Sequence, residues 1–125
     1  MSVIPSPGAP THELPGSRFT SLATPSRGGS TDTSVWFVEL DAGTPSPPHS
    51  LTREEVFVVL EGVATVLLDG APSSAGVGDA IVVPAGTPFA ISNSGDGPLR
   101  MVCCLPVGGQ AALEDGVAFT PPWAE

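Results

Sequence analysis

Seven short apolar runs, each closed by turn residues, decide what this chain can become. In order they are "RFTSLA", "SVWFVEL", "EEVFVVLEG", "ATVLLDG", "DAIVVPAG", "FAISNS" and "LRMVCCLP". Gly, Pro, Asp or Asn stands at the breaks, and each turns the chain for its own reason: Gly reaches positive φ, Pro presets φ, and Asn and Asp bond their own backbone. No segment holds the i, i+3, i+4, i+7 apolar spacing of a helix over three turns. "GGQAALEDG" comes nearest and has room for one or two helical turns at most. Short strands with frequent turn signals predict an all-β sandwich or barrel, and 15 Gly and 15 Pro in 125 residues fit that class.

The length suits one domain with a core of its own. Residues 1–17 are rich in Pro and Gly and read as an irregular arm. Residues 18–106 carry the strands. The tail, 107–125, keeps Phe119 and Trp123, whose large apolar area favours docking on the barrel or on a partner. "VFVVL" (Val56 to Leu60) is apolar at every position and "AIVVP" (Ala80 to Pro84) has the same character, which predicts burial of both strand faces. One face would line a barrel; the other needs a second sheet or a second subunit. A homodimer is therefore expected.

Charge narrows the partners. Four Arg, no Lys and 13 carboxylates give a formal charge of −9. Phosphate backbones and anionic membrane surfaces are bound through clustered Lys and Arg, which this chain lacks. Neither nucleic acid nor a membrane is an expected partner. The start, "MSVIPSPGAPTHELPG", has neither a basic region nor a continuous apolar one, so no secretory leader is read and a cytoplasmic location is expected. The two cysteines are adjacent, Cys103 and Cys104, and form no disulfide framework. Strand alternation points one inward and one outward.

Two stretches carry a family resemblance. The first runs Gly43, five residues, His49-Ser50-Leu51, three residues, Glu55, six residues, Gly62. The second runs Gly78, five residues, Pro84-Ala85-Gly86, two residues, Phe89, three residues, Asn93. In scaffold residues and spacing they resemble the two motifs of the cupins, over roughly residues 35 to 106. The resemblance implies a single double-stranded β-helix, the jelly-roll cupin barrel.

It also implies where a metal would sit. In the family the ligands are three His and one Glu; here His49 and Glu55 match, while Leu51 and Phe89 stand at the other two positions. The chain holds only two histidines, so one chain cannot supply three, and no cofactor is expected. A rebuilt divalent-metal site could use His49, Glu55 and His12 from the arm, with a water in the fourth position, and the inward one of Cys103 and Cys104 could contribute.

Large hydrophobes at the missing positions suggest a different site. With Phe57 and Val59 placed beside Glu55 by alternation, Leu51 and Phe89 would wall an apolar pocket carrying His49 and Glu55 as polar groups. That is the usual composition of a small-molecule pocket. The same residues could instead fill the barrel solidly, with His49 and Glu55 bonded to each other at its rim. Three functions follow: a metal-free barrel binding a small, partly apolar ligand, the favoured one; a metal-free acid–base enzyme of epimerase, cyclase or lyase type, with His49 and Glu55 catalytic; and a metal-dependent dioxygenase or isomerase on the rebuilt ligand set.

Overall fold

A computed structural model of the chain describes residues 2–125. Its strands are β1 (His12–Leu14), β2 (Ser17–Ala23), β3 (Thr33–Leu40), β4 (His49–Leu51), β5 (Glu55–Glu61), β6 (Ala64–Leu68), β7 (Ala71–Ala75), β8 (Ala80–Val83), β9 (Phe89–Asn93), β10 (Leu99–Pro106), β11 (Ala111–Leu113) and β12 (Ala118–Phe119). They form two six-stranded sheets, ordered β1-β2-β3-β10-β5-β8 and β12-β11-β4-β9-β6-β7. Every ladder within them is antiparallel. From β3 to β11 the chain changes sheet at every connection except the β6–β7 hairpin. That winding is the jelly roll expected of a cupin. Among the described residues, no helix is long and apolar enough to cross a membrane.

Alternation places the core between the sheets. On β10, Leu99, Met101, Cys103 and Leu105 are buried, while Arg100, Val102, Cys104 and Pro106 are half-buried on the other face. β5 likewise turns Glu55, Phe57 and Val59 inward. They meet Leu51, Val66, Phe89 and Ile91 from the opposing sheet in one apolar cluster.

Two motif positions show why the family pattern recurs in the backbone. Gly62 has φ +86°, and a Cβ there would lie 2.5 Å from the Pro98 carbonyl oxygen. Only glycine satisfies both constraints. Asn93 donates from Nδ2 to the carbonyls of Leu40 (2.9 Å) and Gly97 (2.8 Å), and its Oδ1 accepts from the Gly95 amide. One side chain thereby closes the β9–β10 turn and ties it to the end of β3.

The structure departs from three expectations. The arm is not irregular to residue 17: His12–Leu14 pairs with β2, because Pro15-Gly16, with Gly16 at φ +77°, reverses the chain in two residues. The segment read as up to two helical turns is β11, which pairs with β4 and β12. A segment so short gains little from helix formation, while the edge of β4 offers it a ladder. The runs "VFVVL" and "AIVVP" bury one face only. Val56 and Val58 are half-buried and Val82 is 50% exposed, since a single chain has no third layer to cover that side of the sheet.

Candidate functional site

A cavity of about 300 Å³ opens between the two sheets at the end where β4 meets the mouth of β5. The arm and the tail help to frame its entrance through Leu14, Phe119 and Trp123. Trp123 is held by a stack on Phe19, with ring centroids 3.5 Å apart and planes within 6°. Leu14 and Phe119 are about half exposed, so the cavity reaches the surface.

His49 begins β4 directly after Pro47-Pro48, residues that favour an extended entry. Its Nδ1 lies 3.3 Å from the Pro47 carbonyl oxygen. A carbonyl only accepts, so Nδ1 carries the proton and Nε2 is left as an acceptor. In the β4–β9 register His49 stands opposite Phe89, and the two rings pack at 4.2 Å with a 47° tilt. Burial lowers the His49 pKa below its ordinary value, and the Pro47 carbonyl opposes part of that. The ring is neutral at pH 7.

Glu55 opens β5 opposite Val83 of β8 and is 5% exposed. Burial alone raises its pKa to about 8, with no hydrogen bond or neighbouring cation acting against it. A carboxyl group surrounded by apolar side chains keeps its proton for this reason. Its oxygens are not sealed, because the buried polar atom left unpartnered among the described residues is Arg27 Nε. The Glu55 carboxyl therefore faces open space in the cavity. It does not bond His49, so the pair anticipated at the rim is not formed.

Leu51, Phe57 and Phe89 line the cavity, with the two phenyl rings 6.0 Å apart. Val59 does not: at 1% exposure it lies deeper along β5, inside the packed core. His12 is also outside the lining. Its Nδ1 lies 2.9 Å from Thr11 Oγ1, and its ring meets Trp123 edge-on at 6.4 Å. Cys103 points inward and lines the cavity while Cys104 faces out. Burial, followed by the Glu55 charge, pushes the Cys103 thiol well up, so it stays protonated at neutral pH.

The residues present do not fit the family's metal set. Leucine and phenylalanine fill two of its four positions, and His12, the third member of a rebuilt set, lies elsewhere. Among the described residues no group of three or more His, Cys, Asp or Glu is placed to hold an ion.

Trp36 and Met101 also line the cavity and were not anticipated. Alternation along "SVWFVEL" and "LRMVCCLP" assigns them to the inner face, so a signal for them existed. Nothing comparable marks Leu14; for Trp123 aromatic area pointed to docking on the barrel or a partner but not to the cavity mouth, a place that depends on how the end of the chain folds back.

Comparisons with known proteins agree with this architecture. A curated relative, an uncharacterized protein of Methanocaldococcus jannaschii, is 40% identical over 53 residues, 42% of this chain and 42% of the relative. Salicylate 1,2-dioxygenase from Pseudoaminobacter salicylatoxidans, solved with gentisate, superposes with a TM-score of 0.70 at 22% identity. That alignment covers 86% of this chain and 31% of the dioxygenase. Vicilin from tomato, Solanum lycopersicum, gives 0.71 at 24% identity over 86% of this chain and 32% of the vicilin. Vicilin from Solanum melongena, described with different anionic ligands in structurally similar pockets, gives 0.68 at 22% identity, over 85% of this chain and 32% of that one. The chain thus spans about a third of the length of these solved structures, and at such identities the likeness is one of fold. The cupin-domain profile matches residues 36–105, more than half of the chain, and the chain belongs to the cupin family.

Proposed function

We propose that this protein is a metal-free small-molecule-binding cupin, its cavity holding a small, partly apolar ligand against His49 and Glu55. One observation carries the reading: a carboxyl group 95% buried, as its 5% exposure gives, faces a cavity of about 300 Å³ without a protein partner. An unbonded buried polar group costs stability, and a bound ligand can offset that cost. The gentisate bound by the dioxygenase and the anionic ligands of the vicilin support a barrel of this shape as a container for small molecules. An acid–base enzyme is the weaker reading, because His49 and Glu55 make no shared hydrogen bond through which to pass a proton. The metalloenzyme reading is weaker too: His12 lies outside the cavity, and among the described residues no group of three or more His, Cys, Asp or Glu is placed to hold an ion.

The proposal includes a homodimer through the outer face of β3, β10, β5 and β8. Phe37, Val102, Val56 and Val82 form an apolar patch there, beside an ionic ladder in which Arg18 and Arg100 neutralise Glu39 and Asp41. On a chain of charge −9, that internally neutralised face is where a second copy meets least repulsion. Sedimentation equilibrium should give twice the chain mass of 12.6 kDa; a monomer at micromolar concentration would refute it.

The test of binding is an NMR titration with 2-phenylethanol, a neutral apolar probe. Amide shifts should concentrate at residues 49–57, 89–91 and 101–103. No shifts, or shifts scattered over the outer faces, would remove the pocket reading.

A further inference from the structure

Resting on that reading, we infer that the cavity selects a cationic amine with an apolar body, its ammonium accepted by the Glu55 carboxylate. The polar groups around the cavity are unbalanced. Glu55 brings two carboxyl oxygens, and His49, whose Nδ1–H donates to the Pro47 carbonyl, brings Nε2 as an acceptor. The Thr44 hydroxyl is spent on the Gly16 carbonyl, so the donors the lining offers are neutral ones: the Ser17 and Ser46 hydroxyls and the Trp36 and Trp123 indoles. No Arg or Lys lines the cavity. A carboxylate or phosphate ligand would therefore find no cation and, above the Glu55 pKa of about 8, would meet a carboxylate instead. An ammonium supplies what the wall lacks, a positive charge, and brings several donors with it. A buried carboxylate is tolerated when it is paired and hydrogen-bonded.

The walls agree. Phe57, Phe89 and Trp36 present aromatic rings to the cavity, and aromatic faces attract cations. The net charge of −9 concentrates cations near the protein and repels anions. The cavity, about 300 Å³, is roughly twice the ~150 Å³ that accommodates benzene. One aromatic ring with a short chain ending in an amine matches it.

Calorimetric titration with three probes of one skeleton tests this: phenethylamine, 2-phenylethanol and 3-phenylpropanoate. At about pH 8.5 the amine is still a cation, as an alkylammonium loses its proton only near pH 10. Phenethylamine should bind about tenfold more tightly than the alcohol, and the propanoate most weakly. Glu55→Gln should collapse the amine-to-alcohol affinity ratio from about ten to about one. If the alcohol or the propanoate binds as tightly as the amine, or if Glu55→Gln keeps the amine preference, amine selection is wrong while the pocket stands. If none of the three binds, the pocket reading fails and the inference fails with it.

Discussion

Glu55 is the residue on which structure and chemistry converge. In an unfolded chain its carboxyl titrates near the ordinary value of 4.5, and burial in the fold pushes it up to about 8. Between those values the folded protein holds a proton that the unfolded chain has released. Stability therefore falls as pH rises through this window and stays lowered above it. The titratable groups that feel the Glu55 charge are the β10 thiols Cys103 and Cys104, both raised by it after burial; His49 of β4 lines the same cavity, and β8 presents Val83. Glu55→Gln removes the linkage. The variant should match the parent near pH 4 and exceed it by several kcal/mol at about pH 9. Urea unfolding at a series of pH values checks this; parallel stability curves for the two proteins would show that Glu55 is not desolvated. How legible was the site in sequence? His49, Leu51, Glu55 and Phe89 were fixed by motif spacing, and Phe57 by alternation along β5. Val59 shares that alternation yet misses the cavity, because alternation gives the face of a strand and not the depth along it.

At the level of elements, the turns decide how faithfully the motifs carry the fold. Gly43 and Gly62 occupy equivalent places in a motif read by spacing, but the structure separates their roles. Both have positive φ; a Cβ at Gly43 meets nothing within 4 Å, whereas one at Gly62 would strike backbone of the β9–β10 connection. Gly43→Ala should cost roughly 1–2 kcal/mol for the left-handed backbone alone. Gly62→Ala should cost more, about 3–4 kcal/mol, since strain and overlap act together. Denaturant midpoints of the two variants give the comparison, and equal losses would contradict it. The long strands were readable because apolar periodicity extends over five or more residues. β1, β4, β11 and β12 have two or three residues each, too few for any period to register, and they exist because a neighbouring strand edge was unpaired. β7, "APSSA", was hidden for a different reason: it is an exposed edge with Pro72 in it, and edge strands accept proline and polar residues.

For the whole molecule, the jelly roll supplies a rigid frame and the chain ends supply the mouth. Trp123 reaches Phe19 across almost the full length of the sequence, and the Ser34 hydroxyl donates to the Ala124 carbonyl at 2.8 Å. No local pattern predicts contacts between residues so far apart; they follow from closure of the barrel. The same closure leaves a cavity beside His49 and Glu55, which Leu51 and Phe89 wall without filling. A crystal structure of tag-free protein grown with phenethylamine tests that claim most directly. The account predicts the ring packed against Phe57 and Phe89, with the ammonium nitrogen roughly 3 Å from a Glu55 oxygen. A barrel closed solidly by Leu51 and Phe89, or an ion ligated by His49 and Glu55, would contradict it.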